Sequence, residues 1–205
     1  MITIWGRANS ISVQKVLWCC DELGLEFERI DAGKGFGHTE GPDYYRLNPN
    51  RKVPALVDGD YVLWESNSIM RYLAATYPGP HGLYPAAAGP RASVDRWLDW
   101  VLSTLHVAAV DINVAYFGVP AAKRDLTKTA DGLRKSAPVW QILDEHLTGR
   151  DFVQGDHFSI ADIGLGVYAR RWFGIPELET PAFGHLTHWY RRLEQRPGLQ
   201  RCFVA

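Results

Sequence analysis

The chain has 205 residues, of which 46% are hydrophobic and 12% aromatic, enough to bury a sizeable core in one large domain or two small ones. Its 22 basic and 23 acidic residues leave a formal net charge of -1 and are interspersed, so a surface that tracks nucleic-acid phosphates is not expected. Cys19, Cys20 and Cys202 are odd in number with two adjacent, which excludes a disulfide framework and leaves buried free thiols.

The opening "MITIWGRANS" has neither a basic leader nor a long apolar run, and nothing downstream reads as the roughly 20 apolar residues that span a bilayer. No membrane contact and a cytoplasmic location are therefore expected. "ITIW" is a short strand signal, followed by the polar turn "GRANS". Val13, Val16, Leu17, Cys20 and Leu23 then recur at helical spacing until Gly24. "EFERID" reads as a second strand and the Gly-rich "AGKGFGHTEG" as loop. "VPALV" and "YVLW" form a hairpin around "DGD", and Ile69, Met70, Tyr72 and Leu73 supply the apolar face of the next helix. The order is β-α-β, loop, β-β-α.

"PGPHGLYPAAAGP" breaks both periodicities and reads as a domain linker. Beyond it strand signals vanish. Val94, Trp97, Leu98, Val101 and Leu105 mark one long helix, and Leu133, Ala137, Trp140 and Leu143 another. "FSIADIGLGVYARRWF" and "LTHWYRRLEQRPG" supply two more. The expected organisation is an α/β domain over 1–78, a linker over 79–90 and an all-helical domain over 91–205.

The chemistry narrows by exclusion. Dispersed histidines without an H-x-x-x-H or C-x-x-C make a metal site improbable, and neither a G-x-S-x-G elbow nor a phosphate-loop signature occurs. The strand-to-helix junctions remain. Asn9, Ser10 and Ser12 open the first helix, where free backbone N–H groups and the helix dipole favour an anion, although a serine there could equally be the N-cap. At "VPALV", Pro54 cannot donate to a ladder, so Val53 has backbone polar groups open to a peptide ligand, or simply begins a strand. Glu65 and Ser66 precede the third helix, as cap or as receptors for a ligand ammonium and carboxylate. "SIAD", residues 159–162, fits a capping box and is read as structural.

Three consecutive junctions of one β-α-β-β-α unit thus carry features that suit a peptide-like thiol. The stretches "GRANSISVQKVLWCCDELGLEFE", "LNPNRKVPALVDGDYVLWESNSIMRYLA", "RASVDRWLDW" and "SIADIGLG" carry a resemblance to cytosolic glutathione S-transferases, of a bacterial theta- or beta-like branch with a serine-type first turn. The resemblance implies a thioredoxin-like N-terminal domain followed by an all-helical bundle, glutathione as co-substrate with no metal, a homodimer and a role in detoxification. It implies that Pro54 is cis, that Val53 meets the cysteinyl part of glutathione, and that Glu65 and Ser66 hold its γ-glutamyl end. Lys52 and His38 would face the glycyl carboxylate. Ser10 is the choice for the thiol-activating hydroxyl, with Ser12 and Asn9 behind it. Arg51 stands where the family often has glycine.

The implied reaction is conjugation of the thiolate to small hydrophobic electrophiles. Trp97, Trp100, Thr104 and His106 are candidates for the electrophile pocket, with Trp172 and Phe173 as further ones. Two rivals share the same cradle: a glutathione-dependent disulfide or peroxide reductase, and a non-catalytic glutathione-binding scaffold.

Overall fold

Alternation in "ITIW" becomes β1 (Ile2–Trp5), where Ile2 and Ile4 are buried on one face and Thr3 and Trp5 half-buried on the other. β1 runs parallel to β2 (Phe27–Ile30) and antiparallel to β3 (Ala55–Asp58), which turns at Gly59 into β4 (Tyr61–Trp64). The sheet order is β2-β1-β3-β4, so β1 is paired on both edges. This computed structural model describes residues 1–77, 79 and 82–203.

The connection from β1 to β2 is helix α1 (Ile11–Leu23). Its buried face carries the apolar residues expected from spacing, and it ends at Gly24, whose left-handed φ of 67° closes the C-cap. A short helix, α2 (Pro42–Leu47), follows the glycine-rich loop; it begins with Pro42 and buries only Tyr44, too little apolar signal to stand out in the sequence. α3 (Ser66–Thr76) then packs on α1 through Ile69, Met70 and Leu73, all fully buried. The expected β-α-β, loop, β-β-α order is present, with α2 added.

The chain forms two compact units, Met1–Ala86 together with Gln195–Ala205, and Ala87–Glu194. Pro78, where the first domain was expected to end, Pro80 and His81 of the expected linker, and Val204 and Ala205 lie outside the described residues. Helix α4 (Ala88–Trp100) starts inside the expected linker, because Pro90 falls in a first turn, where no intrahelical N–H bond is lost.

The helical run continues through a π-type turn (Val101–Leu105), α5 (His106–Ile112) and a second π-type turn (Asn113–Phe117). By length and composition alone the run Ala88–Phe117 is apolar enough to cross a bilayer, which corrects the expectation that no such stretch exists. Core packing accounts for part of that apolarity: Val94, Leu98, Val101 and Leu105 are fully buried. α6 (Leu126–His146) is capped by Asp125, whose carboxylate accepts from Lys128 N at 2.9 Å. It is followed by α7 (Ile160–Phe173) and α8 (Gly184–Glu194).

The last helix, α9 (Pro197–Cys202), departs from the expected single helical domain over 91–205. It packs on α1 within the first unit. Gly198 lies so close that a Cβ would be 2.6 Å from Trp18 Cδ1, Arg196 Nε donates to Glu22 at 2.8 Å, and Arg201 makes a two-pronged contact with Asp21 at 2.6 and 2.7 Å.

The capping box expected at "SIAD" is present and reaches further than a cap. The fully buried Asp162 carboxylate accepts from Ser159 N (2.9 Å), Ser159 Oγ (3.0 Å), Val153 N (2.9 Å) and Trp189 Nε1 (2.8 Å). One side chain thus ties α7 to the preceding loop and to α8. Burial pushes its pKa up while the four donors favour the ionised form. Asp162→Ala strands these donors, each of which costs about 1–3 kcal/mol when buried and unpaired. A fall in the urea midpoint corresponding to several kcal/mol is expected, and an unchanged midpoint would contradict this role.

Candidate functional site

Trp5 is opposite Ile30 on one side and Ala55 on the other, so the segments that follow β1 and β2 and the one that precedes β3 emerge at the same edge of the sheet. An open cavity of about 460 Å³ lies there, within the first unit. The first turn contributes Arg7 and Ser10, the loop after β2 contributes Gly33, Lys34, Gly35, Gly37, Thr39 and Glu40, and the entrance to β3 contributes Arg51, Lys52 and Val53.

Gly6 N donates to Ile30 O at 2.8 Å and Arg7 N to Ala32 O at 3.1 Å, which pins the first turn to the loop after β2. Gly6 must lack a side chain, since a Cβ would lie 2.4 Å from Val13 Cγ2. Ser10 is the N-cap of α1 by backbone: it is extended and its carbonyl accepts from Gln14 N at 2.9 Å. Its hydroxyl makes no capping bond, and the residue lines the cavity. The open N–H groups of the first helical turn add a positive field at the same place. Ser12, inside α1, and Asn9, exposed before it, are not among the cavity's lining residues.

The wall at β3 is built by side chains that the sequence reading did not single out. The Lys52 carbonyl accepts from Tyr44 Oη (2.7 Å) and Asn48 Nδ2 (2.8 Å), while Asn48 Oδ1 accepts from Asn50 N (3.0 Å). Asn48 is buried, and Tyr44 is pushed up to about pKa 12 by burial, so both act as fixed donors. The only available signal was their place in "PDYYRLNPNRKVP", just ahead of the Val-Pro step. The Val53–Pro54 bond is cis. Val53 N–H and C=O enter no hydrogen bond among the described residues. Arg51 explains its own oddity: its φ of 54° is a conformation that glycine adopts most readily, and its guanidinium pairs with Glu40 at 3.0 Å.

Glu65 and Ser66 stand at the start of α3, outside the cavity lining. Glu65 is exposed with a φ of 72°, and Ser66 is buried. Beneath them Lys15, 1% exposed, donates from Nζ to Asn67 Oδ1 at 2.8 Å. Burial drives the Lys15 pKa down to about 7; the charge of Glu65 pulls it up and that of Arg71 pushes it further down. Lys15 was passed over in the sequence, although it lies one turn before Cys19 on the buried face of α1. His38 sits outside the cavity lining, exposed, with its ring 6.0 Å from that of Trp5.

In the second unit, Trp100, Thr104 and His106 are half-buried along one helical run, and His106 Nδ1 lies 2.9 Å from Tyr168 Oη. Trp97 is buried with its ring 5.1 Å from Trp100, and Phe173 stacks on Tyr190 at 4.8 Å. Trp172 is corrected from a pocket candidate to a core residue: it is 1% exposed, with its ring 5.6 Å from Trp140. Among the described residues no group of three or more His, Cys, Asp or Glu side chains could hold a metal ion.

Comparison with known proteins gives concordant findings. Residues 1–75 match the family model for the N-terminal domain of glutathione S-transferase, and residues 108–197 match that for the C-terminal domain. The chain is 36% identical to glutathione S-transferase GstB of Escherichia coli K12 over 203 residues, 98% of this chain and 97% of the relative. A probable glutathione S-transferase of rice, GSTF1, is 27% identical over 98% of this chain and 94% of its own. Among solved structures, a theta class glutathione S-transferase from Xanthomonas axonopodis pv. citri, crystallised with glutathione bound, superposes with a TM-score of 0.91. It is 43% identical, covering 100% of this chain and 97% of that one.

Lys15 makes a measurable prediction. Its folded-state pKa, about 7, lies below the ordinary 10.5, so between these values the unfolded chain holds a proton that the folded chain has released. Stability should therefore rise with pH across that window, and fall as pH drops through about 7. Lys15→Met should flatten the rise when urea midpoints are compared at neutral and mildly alkaline pH. A slope identical to that of the parent would show that Lys15 titrates as a solvated lysine.

Proposed function

Because the chain belongs to the glutathione S-transferase family, we propose that the cavity at the end of β1 binds glutathione and that Ser10 activates its thiol for conjugation to a small hydrophobic electrophile. The observation that carries this reading is the unspent Ser10 hydroxyl: the residue holds the N-cap position and lines the cavity, yet its side chain makes no cap bond.

The unbonded N–H and C=O of Val53 suit the cysteinyl peptide unit of the ligand, which would place its sulfur toward the first turn of α1. Glu65 and Ser66 would take the γ-glutamyl end. Lys52, with His38 behind it, would face the glycyl carboxylate. A free cysteine thiol ionises near pKa 8.5, so only a small share is thiolate at neutral pH. A donated hydroxyl bond and the helix N-terminus both favour the charged form, and no general base is needed. The thiol proton leaves to solvent, the sulfur pair forms a bond to the electrophilic carbon, and the leaving group departs with its electrons. Trp100, Thr104 and His106 are the second unit's candidates for contacts with the electrophile.

The rival reductase reading requires glutathione in two roles, since the protein's own thiols are buried and ill suited to attack. Burial raises Cys19 well above the ordinary thiol value and Cys20 to about 12. Three reduced cysteines also accord with the cytoplasmic location proposed here.

A homodimer is part of the proposal. Val107, Val110 and Val114 lie at i, i+3 and i+7 along one helical run and are 63%, 40% and 54% exposed. A second copy would cover this apolar stripe. Light scattering should give twice the mass of one chain, and Val110→Asp should shift it toward one chain; a monomeric parent protein would sink this element.

For the catalytic role, Ser10→Ala should raise the pKa of bound glutathione by about one to two units, the worth of one charge-assisted hydrogen bond. Turnover with a model aryl halide should then fall more at pH 6.5 than at pH 9. A pure capping role predicts instead a stability loss of about 0.5–2 kcal/mol with an unshifted profile. Turnover of a mixed disulfide with none of the aryl halide would favour the reductase.

A further inference from the structure

The cavity is electrostatically lopsided. Arg7, Lys34, Arg51 and Lys52 line it against a single carboxylate, Glu40, and that carboxylate is already paired with Arg51 at 3.0 Å. Arg7 differs from the other cations in being held inward. Its side chain has no hydrogen bond or ion pair among the described residues, and its pKa is lowered by burial with no neighbouring carboxylate to offset the cost. A partly desolvated guanidinium stays charged at any ordinary pH, so its burial remains uncompensated until an anion arrives.

Its position says which anion. Arg7 N donates to Ala32 O at 3.1 Å and Arg7 O accepts from Ser10 N at 3.2 Å, so the residue bridges the loop after β2 and the first turn of α1. The guanidinium rests against the bare backbone of Gly33: a Cβ built there would lie 2.9 Å from Arg7 Nη1 and 3.3 Å from Val53 Cγ1. Gly33, with a φ of 89°, thus leaves the space in which Arg7 Nη1 and the Val53 side chain share one corner. A peptide ligand that paired its backbone with Val53 would bring its cysteinyl side chain toward this corner, in the cavity that Ser10 also lines.

We propose that Arg7 is a further catalytic residue, whose guanidinium donates to the sulfur of bound glutathione alongside the Ser10 hydroxyl and offsets the thiolate charge. The assignment rests on the glutathione reading above and deepens it. In the step itself Arg7 keeps its protons: the thiol proton passes to solvent, and the sulfur pair is held by two donors until it attacks the electrophile. A formal charge in a partly dried cavity stabilises an anion more than it would in water, and a neutral hydroxyl alone lacks that charge.

The test titrates the ultraviolet absorbance of the bound thiolate in the parent protein and in Arg7→Gln, Arg7→Met and Arg7→Lys, with kcat/KM measured over the same pH range. Arg7→Gln and Arg7→Met should each move the thiol titration upward by about one unit, giving an approximately tenfold lower kcat/KM near pH 6.5 that converges on the parent value as the free thiol ionises. Arg7→Lys, which keeps the charge without the fork, should recover part of the shift. Thermal melts identify which neutral variant is folded, and either one gives the same reading. A thiol titration left in place by Arg7→Gln, with glutathione KM raised equally at every pH, would assign Arg7 to a ligand carboxylate and overturn the proposal. Parent protein that shows no thiolate absorbance with glutathione would refute the glutathione reading itself, and the Arg7 role with it.

Discussion

Pairing of β1 on both edges is the constraint from which the candidate site follows. Because Trp5 stands opposite Ile30 in a parallel neighbour and Ala55 in an antiparallel one, three chain segments must leave the sheet at the same place. Residues 6–10, 31–40 and 51–54 therefore meet without any one of them being long or regular. A slip of one residue in either register would turn every side chain of the slipped strand to the opposite face and dismantle both the core and the cavity wall. The site is a by-product of sheet pairing, specified by residues whose own contacts hold it open.

Those contacts share a pattern. Asn48 spends its amide on a carbonyl and on a neighbouring N–H, so that Val53, two bonds beyond the Lys52 carbonyl it grips, is left without a partner. Lys15 and Asn67 do similar work under the α3 turn, and Asp162 does it in the second unit. In each case a buried polar group would be costly alone and becomes specific once satisfied. Against these satisfied groups, the Ser10 hydroxyl, the Val53 backbone and the Arg7 guanidinium stand out as unspent at the cavity.

The cavity's charge is a second consequence. Under the glutathione reading proposed here, the cations that line the cavity would answer the glycyl carboxylate and the ionised thiol. The sheet contributes no such field, because strand dipoles largely cancel. The first turn of α1 does, and its field adds to the charge of the lining cations at the Ser10 end of the cavity.

Much of this was legible from the sequence alone. Period-two and helical spacing placed β1, α1, the β3–β4 hairpin and α3, because each element advertises its buried face locally. "SIAD" announced its capping box, and the junction residues Ser10 and Val53 were named from their positions at element ends, whereas Lys52 entered only through the family resemblance. Periodicity says which face is buried but not what it is buried against, and there tertiary structure alone decided. It drew α9 back onto α1 through Arg196 and Glu22, 174 residues apart, and it put Trp172 into the core beside Trp140. It also turned Lys15 inward and set Arg7 over Gly33, since a charged residue in a sequence reads as solvated until long-range packing takes the water away.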